Sequence, residues 1–135
     1  MAEKAKRLKI TVVTVCFNAV ETIEKTFKSI WEQDYTGPIE HVVIDGGSTD
    51  GTLEIVTDYA SKIAFFTSQG DEGIYDAMNK GLGSASGDVV MFLNADDYLA
   101  TPSIFTKIAD LMLMHDPDFI YGNVRMVGAS GQLKR

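Results

Sequence analysis

Along this chain the hydrophobic positions switch repeatedly between continuous apolar runs and a helical period. Ile10 to Phe17 is β-branched and almost wholly apolar, the pattern of a strand buried on both faces of a parallel sheet. Asn18 ends that run. Asn18 and Glu21 stand at capping-box spacing, and Ile23, Phe27, Ile30 and Trp31 then recur at helical intervals. Gly37-Pro38 breaks the chain, and Ile39 to Ile44 predicts a second apolar strand, closed by the polar turn Asp45-Gly46-Gly47-Ser48-Thr49-Asp50-Gly51. Leu53, Val56 and Ala60 mark a second helix and Ala64 to Thr67 a third strand. The glycine-hinged loop Gln69 to Gly73 leads into Ile74, Ala77, Met78 and Leu82, again at helix spacing.

Ala85 to Asp88 turns into Val89-Val90-Met91-Phe92-Leu93-Asn94-Ala95-Asp96-Asp97, an apolar run that stops at two adjacent carboxylates. Such a run reads as a buried central strand, with its acids at the carboxyl end. Thr101 and Pro102 suit the N-cap and first turn of a helix carrying Ile104, Phe105, Ile108, Leu111 and Met112, which Pro117 stops. Phe119 to Tyr121 and Val124 to Val127 are short strand candidates. Strands alternating with helices predict an α/β fold: a mostly parallel sheet, right-handed crossovers and helices on both faces. Its carboxyl edge, where open sheets bind ligands, would gather Asn18, Asp45 and the Asp96-Asp97 pair from three strands.

The length of 135 residues suits one domain. Residues 1–9 read as a basic tail, and no apolar stretch approaches the roughly 20 residues needed to span a bilayer. No secretory apolar region follows the tail, and the single cysteine, Cys16, excludes an intrachain disulfide and suits a reducing cytoplasm. The net charge of −7 argues against nucleic acid as a partner. An anionic ligand would need a bridging cation. Adjacent carboxylates repel unless a cation offsets them, so Asp96-Asp97 points to a hard divalent metal, Mg²⁺ or Mn²⁺.

Each remaining motif has a plainer explanation beside the functional one. Asp45 to Ser48 brings a carboxylate and pliant backbone to a ligand, or forms a tight turn whose Ser48 or Asp50 caps the next helix. Asp71 to Lys80 packs acids, Tyr75, Asn79 and Lys80 into one segment, which otherwise is a solvated helix face. His41 lies within a strand and His115 at a helix end. Zinc-ligand spacing, a nucleophile elbow, a phosphate loop and a dinucleotide fingerprint are all absent, which disfavours P-loop and dinucleotide enzymes.

Taken in order, Thr11 to Asn18, Val42 to Thr52, Asp71 to Gly81 and Leu93 to Asp97 resemble the motifs of family 2 glycosyltransferases, most closely bacterial members that build surface polysaccharides. The resemblance covers nearly all of the chain after the tail. It implies a GT-A fold, a nucleotide-diphosphate sugar donor (a UDP-sugar foremost), Mn²⁺ or Mg²⁺, and inversion at the anomeric carbon. Carried over, Thr14, Val15 and Asn18 would line the nucleotide pocket, Asp45 would face base or ribose, and Gly73 and Asn79 would neighbour the donor. Asp96 would lean toward the ribose and Asp97 would ligate the metal, with Asp96 beside it.

Two departures stand out. Gly46 occupies the place of a second acid in many relatives, and Asn94 opens the acid motif where Asp is common. Such enzymes usually exceed 200 residues, so residues 10–135 are expected to form the donor-binding domain, with the acceptor half missing and no general base assignable. The expected acceptor is a saccharide or lipid-linked sugar, the expected location the cytoplasm or inner-membrane surface, and a homodimer would cover apolar surface. A catalytically inactive nucleotide-sugar-binding module and a sugar-phosphate nucleotidyltransferase are the alternatives. A phospho-acceptor receiver domain fits less well, because no strand ends in Lys.

Overall fold

The structure, a computed structural model, describes residues 8–128 and Leu133. Four parallel strands form one sheet in the order β3-β2-β1-β4: β1 Ile10–Cys16, β2 Ile39–Asp45, β3 Ile63–Ser68 and β4 Val89–Phe92. Between and after them lie α1 Ile23–Trp31, α2 Thr52–Asp58, α3 Ile74–Gly83 and α4 Ile104–His115. The predicted α/β architecture with helices on both faces is what forms.

β1 is the central strand, and all seven of its residues are buried. Alternate β1 side chains serve different layers. Ile10 and Val12 pack with Ile30 of α1 and Phe105 of α4, and Cys16 packs with Ile23, Phe27 and Val56. Val13 and Val15 instead join Val42, Ile44 and Ala77 beneath α3. Burying one such aliphatic or aromatic side chain stabilises the fold by about 1.5–3 kcal/mol, so β1 anchors both cores. Phe27 adds edge-to-face contacts with His41 and Tyr59, each with ring centroids 5.0 Å apart.

The α3 face is covered so closely that Gly81 cannot carry a side chain. A Cβ there would lie 2.2 Å from Val13 Cγ1. Strand register then sets the carboxyl edge: Cys16 lies beside Asp45, Asp45 beside Ser68, and Val13 beside Phe92.

Several sequence expectations are corrected. β4 is an edge strand among the described residues, not a central one; no described strand lies on its outer side, so Phe92 is 42% exposed. Asn18 does not cap α1. The helix begins at Ile23 after Thr22, and Asn18 adopts a left-handed φ of 48° with its side chain turned to the β2 loop. Ser103, not Thr101, precedes α4, and Ala60 falls in a short 3-10 turn beyond α2. Phe119–Tyr121 and Val124–Val127 form no strand; Val127 makes only an isolated antiparallel bridge with Leu133. A lone extended segment without a ladder partner gains no sheet hydrogen bonds. Of the basic tail, only Leu8 and Lys9 fall within the described residues. No helix among the described residues is long and apolar enough to cross a membrane.

Candidate functional site

The carboxyl ends of all four strands converge on one edge. At the end of β1 the chain is stapled to the loop after β2: Asn18 N–H donates to Ser48 Oγ (2.8 Å), and Thr49 N–H donates to Asn18 Oδ1 (2.8 Å). Ala19 N–H donates to Thr52 Oγ1, and Asp50 accepts from Val20 N–H. Asp50 also accepts from Thr52 N–H and Oγ1, so it braces the turn into α2, although the N-cap position itself is Gly51 and has no side-chain cap.

Asp45 is completely buried at the end of β2. Its carboxylate accepts from Gly47 N–H (2.9 Å), Ser48 N–H (2.8 Å), Ser48 Oγ (2.5 Å) and Ser68 Oγ (2.8 Å), with the Cys16 thiol at 3.4 Å. Burial alone would raise its pKa, but the bonds from Ser48, Ser68 and Gly47 outweigh that and hold it below the usual carboxylate range. Cys16 is pushed the other way: burial first, then the adjacent Asp45 charge, raise the thiol far above its ordinary value. It stays a neutral donor, not a nucleophile.

Thr14 is also buried, its hydroxyl 2.9 Å from His41 Nε2, which places it beneath the edge rather than on it. Val15 packs under α3, while Asn18 is exposed. Gly73 opens α3 at φ 108°, a conformation that suits glycine, and its N–H donates to Asp71 Oδ1 (3.1 Å). Asn79 is exposed about one and a half turns into α3. Along the same segment Asp76 pairs with Lys80 (3.1 Å) and accepts from Glu72 N–H, so these two charges serve the helix.

The acid turn after β4 is pinned in place. Leu93 N–H donates to Val13 O and Ala95 N–H to Val15 O, carrying the β1 ladder past the end of β4. Buried Ala95 packs against Ile23 and Phe27, Thr26 Oγ1 donates to Asp97 O (2.5 Å), and Leu99 N–H donates to Ser29 Oγ (3.0 Å). The backbone is thus fixed to α1 while Asp96 and Asp97 stay exposed. Desolvation and, next, the neighbouring Asp96 charge raise the Asp97 pKa, and neither side chain has a basic partner among the described residues. Asn94 Oδ1 is buried without a hydrogen-bond partner.

An unbalanced carboxylate pair beside an orphaned oxygen fits a hard divalent cation, which is oxygen-ligated. Among the described residues no group of three or more His, Cys, Asp or Glu is placed to hold a metal by protein ligands alone.

The family model described as glycosyl transferase family 2 matches residues 11–135. This chain belongs to that family. It is 35% identical over 122 residues to an uncharacterized glycosyltransferase of Mycobacterium tuberculosis, covering 88% of this chain and 47% of the relative. It is 34% identical over 120 residues to a PGL/p-HBAD biosynthesis glycosyltransferase of Mycobacterium bovis, covering 86% and 46%. The chain therefore spans about half the length of the curated relatives it matches. Among solved structures, residues 1–349 of Staphylococcus aureus TarS in complex with UDP-GlcNAc superpose with a TM-score of 0.72 at 29% identity, covering 81% of this chain and 32% of that one. The mannosyltransferase PcManGT of Pyrobaculum calidifontis, in complex with GDP-Man and Mn²⁺, gives 0.69 at 30% identity, covering 78% and 32%. Family 2 membership bears out the resemblance seen in the four motifs and leaves the nucleotidyltransferase and receiver alternatives without support.

Sequence reasoning missed two contributors to this edge: Ser68, which completes the Asp45 cage, and Thr26, which pins the acid turn. Neither announces itself by a motif. Asp71 stood within a motif, but its carboxylate's place against Gly46 is visible only in the fold.

Proposed function

We propose that this chain forms the donor half of an inverting glycosyltransferase, which moves a sugar from a nucleotide-diphosphate donor to a saccharide or lipid-linked acceptor in cytoplasmic polysaccharide synthesis. The observation that carries this reading is the exposed, uncompensated Asp96-Asp97 pair with the orphaned Asn94 oxygen, held rigidly beside the end of β1. Two relatives of known structure were solved with UDP-GlcNAc and with GDP-Man plus Mn²⁺, which supports a nucleotide-sugar as ligand and a divalent ion as its companion.

In this reading Asp97 ligates the ion, Asp96 leans toward the ribose, and Asn94 offers its free carbonyl oxygen to the same shell. When bound, the ion neutralises the diphosphate leaving group. The residues of the chain supply position: the turn bonds from Thr26 and Ser29 fix the acids, and the Asn18–Thr49 staple shapes the wall opposite. Gly73 and Asn79 border the donor from α3. Asp45 acts from below by holding the loop after β2, and Thr14 by tying β1 to β2 through His41. A pre-set acid turn loses little conformational freedom on binding, which favours tight capture of a flexible diphosphate. Exposed apolar side chains such as Phe92 fit a homodimer.

Titration calorimetry with UDP and MnCl₂ tests the reading. Wild type is expected to bind UDP much more tightly with the metal present than in EDTA, and Asp97→Ala is expected to weaken the metal-dependent binding about 10–100-fold, the scale of a lost charge-assisted contact of roughly 1.5–3 kcal/mol. Absence of binding by the wild type, or unchanged binding by Asp97→Ala, refutes it.

A further inference from the structure

The β2 and β3 ends meet in an unusual way. Gln69 N–H donates to Asp45 O (3.1 Å), which brings the loop after β3 over the Gly46-Gly47 step. A Cβ placed on Gly46 would lie 2.9 Å from Asp71 Oδ2 and 3.4 Å from the carboxyl carbon and the other oxygen. The Asp71 carboxylate therefore occupies the space that any side chain at position 46 would need.

Of the two carboxylates at this junction, only Asp71 is available. Asp45 is buried with its oxygens committed to Gly47, Ser48 and Ser68. Asp71 is partly exposed; Oδ1 accepts one bond, from Gly73 N–H, and Oδ2 accepts none among the described residues. Its flanks are clear as well. A Cβ on Gly70 or on Gly73 would meet nothing within 4 Å, so the backbone flanking Asp71 is open on both sides.

We propose that Asp71 reads the nucleotide base from the position that Gly46 vacates, selecting a base with a ring N–H donor, uracil or guanine, over cytosine. This rests on the nucleotide-sugar reading given above. An ionised carboxylate is an acceptor only. Uracil N3–H and guanine N1–H can donate to it, whereas the lone pair on cytosine N3 faces it with like sign. A site that accepts a donor and is offered a lone pair instead loses the bond and leaves a charge unpaired, which is a strong basis for discrimination.

The experiment is calorimetry of UDP, GDP and CDP, each with saturating MnCl₂, on wild type, Asp71→Ala, Asp71→Asn, Gly46→Asp and the Gly46→Asp/Asp71→Ala double variant. Wild type should favour UDP or GDP over CDP by about tenfold or more, and whichever of the two binds tighter identifies the base. Asp71→Ala should bring that ratio within about threefold while keeping the Mn²⁺ dependence. Asp71→Asn retains an acceptor for Gly73 N–H and so keeps the loop; its amide can also donate to cytosine N3, and it should shift preference toward CDP. Gly46→Asp alone should weaken all three nucleotides, because its side chain meets the Asp71 carboxylate in both space and charge. The double variant should regain the preference for UDP or GDP.

A wild type that binds all three nucleotides alike, or Asp71 variants that keep the wild-type ratio, overturns the role of Asp71 and leaves the nucleotide-sugar reading standing. A wild type that binds none of them overturns both. Unfolding midpoints of the variants, expected near that of wild type for this partly exposed residue, separate lost recognition from lost structure.

Discussion

Asp45 gives its whole carboxylate to the chain. Four backbone and hydroxyl donors and a thiol converge on it, and the loop after β2 is built around the result. The sequence shows an acid at a strand end, and a strand-end acid points equally to a ligand or to a cap. What it cannot show is that Ser68, 23 residues later, completes the cage; that depends on β2–β3 register, which motif spacing does not encode. His41 is similar. In sequence it is a histidine in a strand, and in the fold its burial lowers its pKa to about 3 from the ordinary 6.5. Between those two values the unfolded chain holds a proton that the folded chain does not. Stability therefore rises with pH through that window and is lost as pH falls below about 6.5, with a slope of up to about 1.4 kcal/mol per pH unit. Urea unfolding from pH 7 down to pH 5 should show this slope in wild type. His41→Gln, which keeps a partner for Thr14, should remove the His41 share of it.

At the scale of elements, the apolar runs located all four strands and the helical periods all four helices, because buried faces impose period on sequence. Helix ends were less legible. Thr22 rather than Asn18 precedes α1, Ser103 rather than Thr101 precedes α4, and Ala60 lies beyond the end of α2, since helix ends are decided by local hydrogen bonds that compete with one another. The position of β4 in the sheet was also hidden: an apolar run of this kind is compatible with a central strand or an edge, and only pairing distinguishes them. Gly81 was unremarked in sequence and is decisive in packing. Its replacement by Ala would raise helix propensity by about 1 kcal/mol, yet the new methyl would lie 2.2 Å from Val13 Cγ1 and 3.4 Å from Ile44 Cγ1. Overpacking at such a contact typically costs about 1–3 kcal/mol, so chemical denaturation of Gly81→Ala should show net destabilisation. Adding Val13→Ala should recover part of the loss, giving a coupling energy in the double-mutant cycle.

For the molecule as a whole, charge is the constraint. A chain of net charge −7 repels a nucleotide diphosphate at long range, and Asp96-Asp97 adds to that repulsion at short range. With EDTA present, residual UDP binding should therefore strengthen as salt shortens the Debye length from about 30 Å at 0.01 M to about 8 Å at 0.15 M. With Mn²⁺ present the short-range term is neutralised, and salt should have a smaller or opposite effect. A fluorescent UDP analogue titrated at several NaCl concentrations reads both arms. The four motifs in order made the family legible from sequence alone, because each sits at a strand end that the fold brings to one edge. The acceptor side was not legible, since among the described residues no strand end or loop carries an acid whose partners mark it as a base.

The saturated cage around Asp45 bears on how such sequences are sorted. Folding by itself is enough to retain that aspartate, so a descendant stripped of any sugar chemistry would still carry the Asp-Gly-Gly-Ser signature and still score as kin. Evidence of a living enzyme has to be sought at the exposed acids, where the scaffold asks for nothing.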